Sequence, residues 1–195
     1  MAKIHWKGST LLAPLPPMMV SCGDADKPNI ITVAWTGIIN TIPPKTYISV
    51  RPQRYSYGLV KERGEFTINL TPTHLVRAAD YCGMYTGAKV DKFKKCGLTP
   101  EAGVNVSCPS IMECPISLEC RVSDIIPLGS HDMFLADIVT VSVDETLLDE
   151  HGKLCLERAH LTAFAHGEYY EVGKVIGKFG LSAVKKKKKK GSRDT

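Results

Sequence analysis

No apolar stretch of the sequence approaches the roughly 20 residues that a membrane-spanning helix needs. The longest, such as Ile30–Trp35, fall far short of it, so no membrane partner is expected. Met1–Lys7 lacks the apolar core of a secretory leader, which makes the cytoplasm the expected compartment. Cysteine is present at 22, 82, 96, 108, 114, 120 and 155, but no two form a Cys-x-x-Cys pair. The intervals Cys108–Cys114 and Cys114–Cys120 match no common zinc module, so no metal site is expected. An odd count fits reduced thiols, and Cys120, which alternates with apolar residues, reads as a small buried hydrophobe. There is no GxGxxG, no GxSxG and no HExxH. Gly173–Phe179 is one residue short of a P-loop, with Phe179 where a magnesium-binding hydroxyl belongs.

Charge of one sign is also missing from the body. The net charge of the 195 residues is +5, but residues 185–195 hold Lys185 to Lys190, Arg193 and a single acid, Asp194. Without them 18 basic and 19 acidic residues remain, a net charge of −1. The lysine run repels itself and is expected to be a disordered tail that touches nucleic acid or anionic lipid only non-specifically. Composition is otherwise ordinary, 44% hydrophobic and 23% charged, which fits one folded domain over residues 1–184.

What is there is dominated by a period of two. Ile116, Leu118, Cys120 and Val122 alternate with Ser117, Glu119, Arg121 and Ser123, which predicts a half-buried strand with one wet face. Phe66–Leu70 and Val139–Val143 alternate likewise, and Asn29–Thr36, Thr46–Arg51 and Met18–Cys22 are further β-rich runs. Ser56–Arg63 is a predicted helix, capped by Ser56 and stopped by Gly64. Thr73–Tyr85 is another, with Thr73 as cap and Leu75, Ala78, Ala79 and Cys82 on one face. Many short strands with two helices predict a mainly β chain, a small closed or nearly closed barrel.

Two segments carry chemistry. Arg51-Pro-Gln-Arg54-Tyr55-Ser56 joins a strand to a helix start, where two guanidinium groups, hydroxyls and free N–H groups suit a phosphate. On spacing alone the same residues equally fit a capped helix with two solvated arginines. Thr32-Val33-Ala34-Trp35-Thr36-Gly37 ends a strand in small and hydroxyl residues around one Trp, which also fits a core Trp before a turn.

In order along the chain come Asn29–Gly37, Pro43-Pro44, Ile48-Ser49-Val50-Arg51-Pro52 with Arg54-Tyr55-Ser56, and Gly64–Asn69. Cys82-Gly83, Thr86-Gly87, Val90-Asp91-Lys92-Phe93, Gly129-Ser-His131-Asp-Met-Phe134 and His166-Gly-Glu-Tyr169-Tyr170 follow. Gly173-Lys174 and Gly177–Gly180 close the series, which resembles the flavin reductase-like family, flavoredoxin branch, over residues 10–184. The resemblance implies an FMN-binding split β-barrel, Greek-key-like, working as a homodimer with flavin near the subunit interface. It implies that Thr32, Val33, Ala34, Trp35 and Thr36 face the isoalloxazine. Ser49, Val50, Arg51, Arg54, Tyr55 and Ser56 then hold the ribityl and phosphate. Cys82, Thr86 and Lys92 lie along the same pocket, with the Lys92 ammonium available to the phosphate. His131 takes the catalytic position beside the flavin, though as a residue it also fits a loop imidazole that caps a carbonyl. Relatives commonly show Gly-Glu where this chain has Ala136-Asp137, so no role is carried over to Asp137.

The implied activity is an FMN-dependent oxidoreductase. It takes hydride from NAD(P)H and passes electrons to free flavin, ferric iron or a redox partner protein. N–H dipoles or an imidazolium near the reduced ring would raise its potential. Hydride chemistry needs no protein nucleophile, which accounts for the missing triad. Three other readings remain: a flavoredoxin-type carrier without nicotinamide activity, a barrel that has lost its flavin, and a nucleic-acid binder using the basic tail. Against the last stand a near-neutral body and only two Trp.

Overall fold

The computed structural model describes residues 1–183; the lysine run and its expected disorder lie outside the described residues. The chain runs through β1 (Met18–Cys22), β2 (Asn29–Val33), β3 (Thr36–Thr41) and β4 (Pro44–Val50), then α1 (Tyr55–Arg63) and β5 (Glu65–Asn69). Next come α2 (Val76–Met84), α3 (Lys92–Cys96) and the two-residue strands β6 (Pro100–Glu101) and β7 (Ser110–Ile111). The long strands β8 (Ile116–Pro127) and β9 (Asp132–Val143) follow, and a hairpin of β10 (Thr162–Ala165) and β11 (Glu168–Glu171) comes last.

Seven strands form one antiparallel sheet in the order β2-β1-β5-β8-β9-β4-β3. Its two edge strands, β2 and β3, are consecutive in the chain and joined only by Ala34-Trp35. In a flat sheet they would stand six spacings apart, roughly 29 Å. The three peptide steps from Val33 to Thr36 reach at most about 11 Å. The sheet must therefore roll until its edges meet, leaving a barrel split between β2 and β3. Hairpins β1–β2 and β3–β4, joined by that short link, and β8–β9, reached through β5 and the helices, give it a Greek-key-like order. Val20, Ile31, Ile48, Phe66, Cys120 and Phe134 fill the inside, and burial of each larger side chain contributes about 1.5–3 kcal/mol before entropy. Among the described residues no helix is long and apolar enough to cross a membrane.

Several local expectations are corrected. The run Asn29–Thr36 is two strands, because the edge crossing falls at Ala34-Trp35. Ser117 and Glu119 do not form a wet face but are buried beneath the segment after α3, where the Glu119 carboxylate accepts Val104 N at 2.6 Å and Asn105 N at 2.7 Å. The alternating Val139, Val141 and Val143 face outward and are exposed. Helix α1 starts one residue early, and Ser56 is no cap: the Arg54 position precedes the helix, and the buried Ser56 Oγ accepts Asn29 Nδ2 at 2.8 Å. Gly64 does stop the helix, at φ 67, where a side chain would be strained. Thr73 begins a single 3-10 turn rather than capping α2, while Ala79 and Cys82 do face the core.

Candidate functional site

Rolling the sheet leaves a cleft of about 440 Å³ at its seam, within the range of about 300–1,000 Å³ common for small-molecule sites. The end of β2 and the Ala34-Trp35 link bring Thr32, Val33, Ala34 and Trp35 to it, and the end of β4 brings Ser49 and Val50. Arg51 and Arg54 follow on the turn into α1, and His131 on the turn into β9. Neither arginine forms an ion pair among the described residues.

A second cavity of about 120 Å³ adjoins it across Arg54 and is lined by Tyr55, Ser56, Cys82, Thr86 and Lys92. Of the residues expected together, only Thr36 lines neither. It is buried, and its hydroxyl donates to Tyr47 O at 2.6 Å. Thr32 lines the cleft with its hydroxyl already donated to Ala79 O, so backbone groups are what this strand end offers.

Lys92 is 3% exposed, and its Nζ donates to Ile30 O at 2.6 Å and Cys82 O at 2.7 Å. Burial pulls its pKa below the ordinary lysine value, and Arg54 pushes the same way. Two of its three N–H bonds thus tie β2 to α2, and its influence on the cavity is mainly electrostatic. Burial raises the Cys82 thiol to about 12, so it is protonated and inert at neutral pH. Gly87 is required sterically: a Cβ there would lie 1.9 Å from Asn29 Oδ1, on the side chain that holds Ser56.

His131 stacks on Trp35, ring centroids 6.5 Å apart and planes 14° from parallel, and its Nδ1 lies 3.0 Å from Ser130 Oγ. Burial lowers its pKa, and Arg51 and Arg54 lower it further. Both effects favour the neutral ring over the imidazolium considered from sequence. Asp137 lies away from the cleft, paired with Lys45.

Residues that the sequence left without a role also line the cleft: Asp80, Gly83 and Met84 from α2, and Phe164 and Tyr169 from the β10–β11 hairpin. Tyr169 OH donates to Asp80 Oδ1 at 3.1 Å. Burial, then the bond to Asp80, raises the phenol to about 12. The Tyr169-Tyr170 pair was visible in the sequence, but a contact spanning 89 residues was not.

The sequence profile of the flavin reductase like domain matches residues 11–173. The chain belongs to the flavin reductase-like family. The flavoredoxin of Desulfovibrio vulgaris (Miyazaki F) superposes with a TM-score of 0.87 at 35% identity, over 94% of this chain and 100% of that one. The flavoredoxin of Methanosarcina acetivorans gives 0.85 at 26% identity over the same shares. In sequence, an uncharacterized protein of Archaeoglobus fulgidus is 32% identical over 138 residues, 71% of this chain and 77% of its own. An NADPH-flavin oxidoreductase of Streptomyces viridifaciens is 25% identical over 137 residues, 68% of this chain and 69% of its own. These likenesses support the flavoredoxin branch of the family and its split-barrel fold.

Proposed function

We propose that the cleft holds FMN and that the protein is an FMN-dependent oxidoreductase, taking hydride from NAD(P)H and handing electrons to an acceptor. The observation that carries this reading is the pair of guanidinium groups, Arg51 and Arg54, without ion-pair partners among the described residues and lining a cleft walled by aromatic rings. A doubly charged phosphate is the natural complement of that pair. A flat amphipathic ring complements the rest of the cleft, where Trp35 meets the strand end Thr32–Ala34.

In this reading Arg51 and Arg54 bind the phosphate directly, with Tyr55, Ser56 and Thr86 around the adjoining cavity and Lys92 adding field from behind. Ser49 and Val50 border the ribityl chain, and Thr32–Trp35 orient the ring edge through backbone groups. Thr36 acts one step removed, by fixing the start of β3. His131 stacks against Trp35 and, neutral, offers one N–H donor and one acceptor without adding charge. When bound, the flavin supplies the hydride-accepting centre and the two-electron store.

A second reading is favoured by the 35% identity to a flavoredoxin along nearly the whole chain: a bound FMN that only relays electrons between proteins. Anaerobic stopped-flow mixing of FMN-loaded protein with NADH or NADPH separates the two. Bleaching faster than for free FMN supports hydride transfer from nicotinamide; no acceleration leaves the relay. A purified protein that is colourless and takes up no FMN overturns both. We also propose a homodimer, since Ile38 and Ile39 on β3 and Val139, Val141 and Val143 on β9 form outward apolar rows. A monomer by light scattering refutes that part.

A further inference from the structure

The cleft has two aromatic walls, and only one belongs to the barrel seam. Trp35 and His131 make the first. Phe164 and Tyr169 make the second, their rings 5.4 Å apart at 59°, and they sit on the β10–β11 hairpin, which is no part of the seven-stranded sheet. The hairpin turns through His166 and Gly167, both at positive φ (50 and 91), the geometry of a tight two-residue turn.

Its first strand is anchored by main-chain bonds. Leu15 and Phe164 exchange N–H···O bonds of 2.8 and 2.7 Å, and Thr162 N donates to Thr71 O at 2.9 Å. The second strand reaches the body differently. From β11, Tyr169 extends its hydroxyl to Asp80 Oδ1 on α2, 3.1 Å away, and both residues line the cleft. A main-chain bridge thus fixes Phe164, and a side-chain latch fixes Tyr169, beside the cleft that Trp35 and His131 also line.

We propose that Tyr169, latched to Asp80, is a positioning residue that sets the width between the two walls and so selects a flat aromatic molecule as the second reactant. This rests on the FMN reading: with a planar ring against the Trp35 side, the remaining slot fits another planar ring, such as a nicotinamide or a free isoalloxazine. A compact octahedral complex gains nothing from the second wall. The phenol, raised to about 12, stays protonated across the working pH range, so the latch does not open by titration.

The test uses Tyr169→Phe, which keeps the ring and removes the hydroxyl, and Asp80→Ala. In the protein without flavin, hydrogen exchange of residues 162–171 should quicken about five-fold in both, as for loss of one ordinary hydrogen bond, with the sheet unchanged. In FMN-loaded protein reduced with one equivalent of dithionite, the free riboflavin concentration that half-saturates the stopped-flow reoxidation rate should rise about five-fold relative to that for ferricyanide, with the limiting rate much less affected. Unchanged exchange in both variants overturns the latch, and equal effects on riboflavin and ferricyanide overturn the selection. If the parent protein binds no FMN by fluorescence titration, the FMN reading falls and selection with it, while the exchange measurement still decides the latch.

Discussion

Asn69 and Arg51 are both polar residues close to the barrel, and they sit in opposite kinds of company. The Asn69 amide donates to Met19 O and Ser21 Oγ, each at 3.0 Å, and accepts from Ile111 N at 2.9 Å and Ser117 Oγ at 2.8 Å. Nearby, Glu119 satisfies two backbone N–H groups of the segment after α3. At the cleft, Arg51 and Arg54 present two charges with no ion-pair partner among the described residues. A saturated buried network fixes the fold, because removing one member strands the rest. An unsaturated cluster at a cavity spends nothing on the fold and keeps its bonding capacity for a ligand.

The sharpest break of that contrast is Arg51→Ala combined with Arg54→Ala. FMN affinity should fall by about 1.5–3 kcal/mol for each charge-assisted hydrogen bond removed. Riboflavin binding should change little, and the urea midpoint should stay put. Equal weakening of FMN and riboflavin in isothermal titration would place the phosphate elsewhere. Next in size is Glu119→Ala, which removes the charged acceptor of the Val104 and Asn105 N–H groups and should cost about 1–3 kcal/mol of stability in denaturant unfolding. The FMN-to-riboflavin preference should survive it, and a changed preference would mean the two regions are not separate.

Gly87→Ala sharpens the boundary between them. The added methyl collides with Asn29, which supports Ser56 beside the smaller cavity. FMN binding should weaken several-fold with a smaller loss of stability than Glu119→Ala, read by the same two measurements. The smallest effect is the pH dependence of His131. Its folded pKa lies below the ordinary histidine value, through burial and then Arg51 and Arg54. The folded state therefore binds fewer protons than the unfolded one around that value, and stability falls as pH drops through the histidine range. His131→Gln should flatten the loss of stability of the flavin-free protein between pH 7.5 and 5. An unchanged slope would show that the imidazole does not feel the arginines.

What can be read from the chain beforehand follows the range of the interactions. Strand existence is a local, period-two property, so Phe66–Leu70 and Ile116–Val122 are legible. Gly64 as a helix stop is too, because αL geometry is the glycine's own. Which side of a strand meets water depends on what later covers it. The Ser117–Glu119 side escapes such a reading because the segment that covers it carries no periodic signal, and Val139–Val143 because its row faces outward. Arg51, Arg54 and Trp35 stand out through the ordered family motifs. Asp80 and Tyr169 do not, since nothing local ties a helix to a hairpin 89 residues away.

The cleft that straddles the two-residue crossing at Ala34-Trp35 is completed late in folding. Its seam strands are neighbours in the chain, but Asp80, His131 and Tyr169 reach it from distant segments only once the intervening strands have taken their places, so no fragment or half-zipped intermediate owns the whole of it. Cofactor capture is in that sense a checkpoint for the completed roll. Colour retained during unfolding should vanish in step with the last native molecules rather than ahead of them.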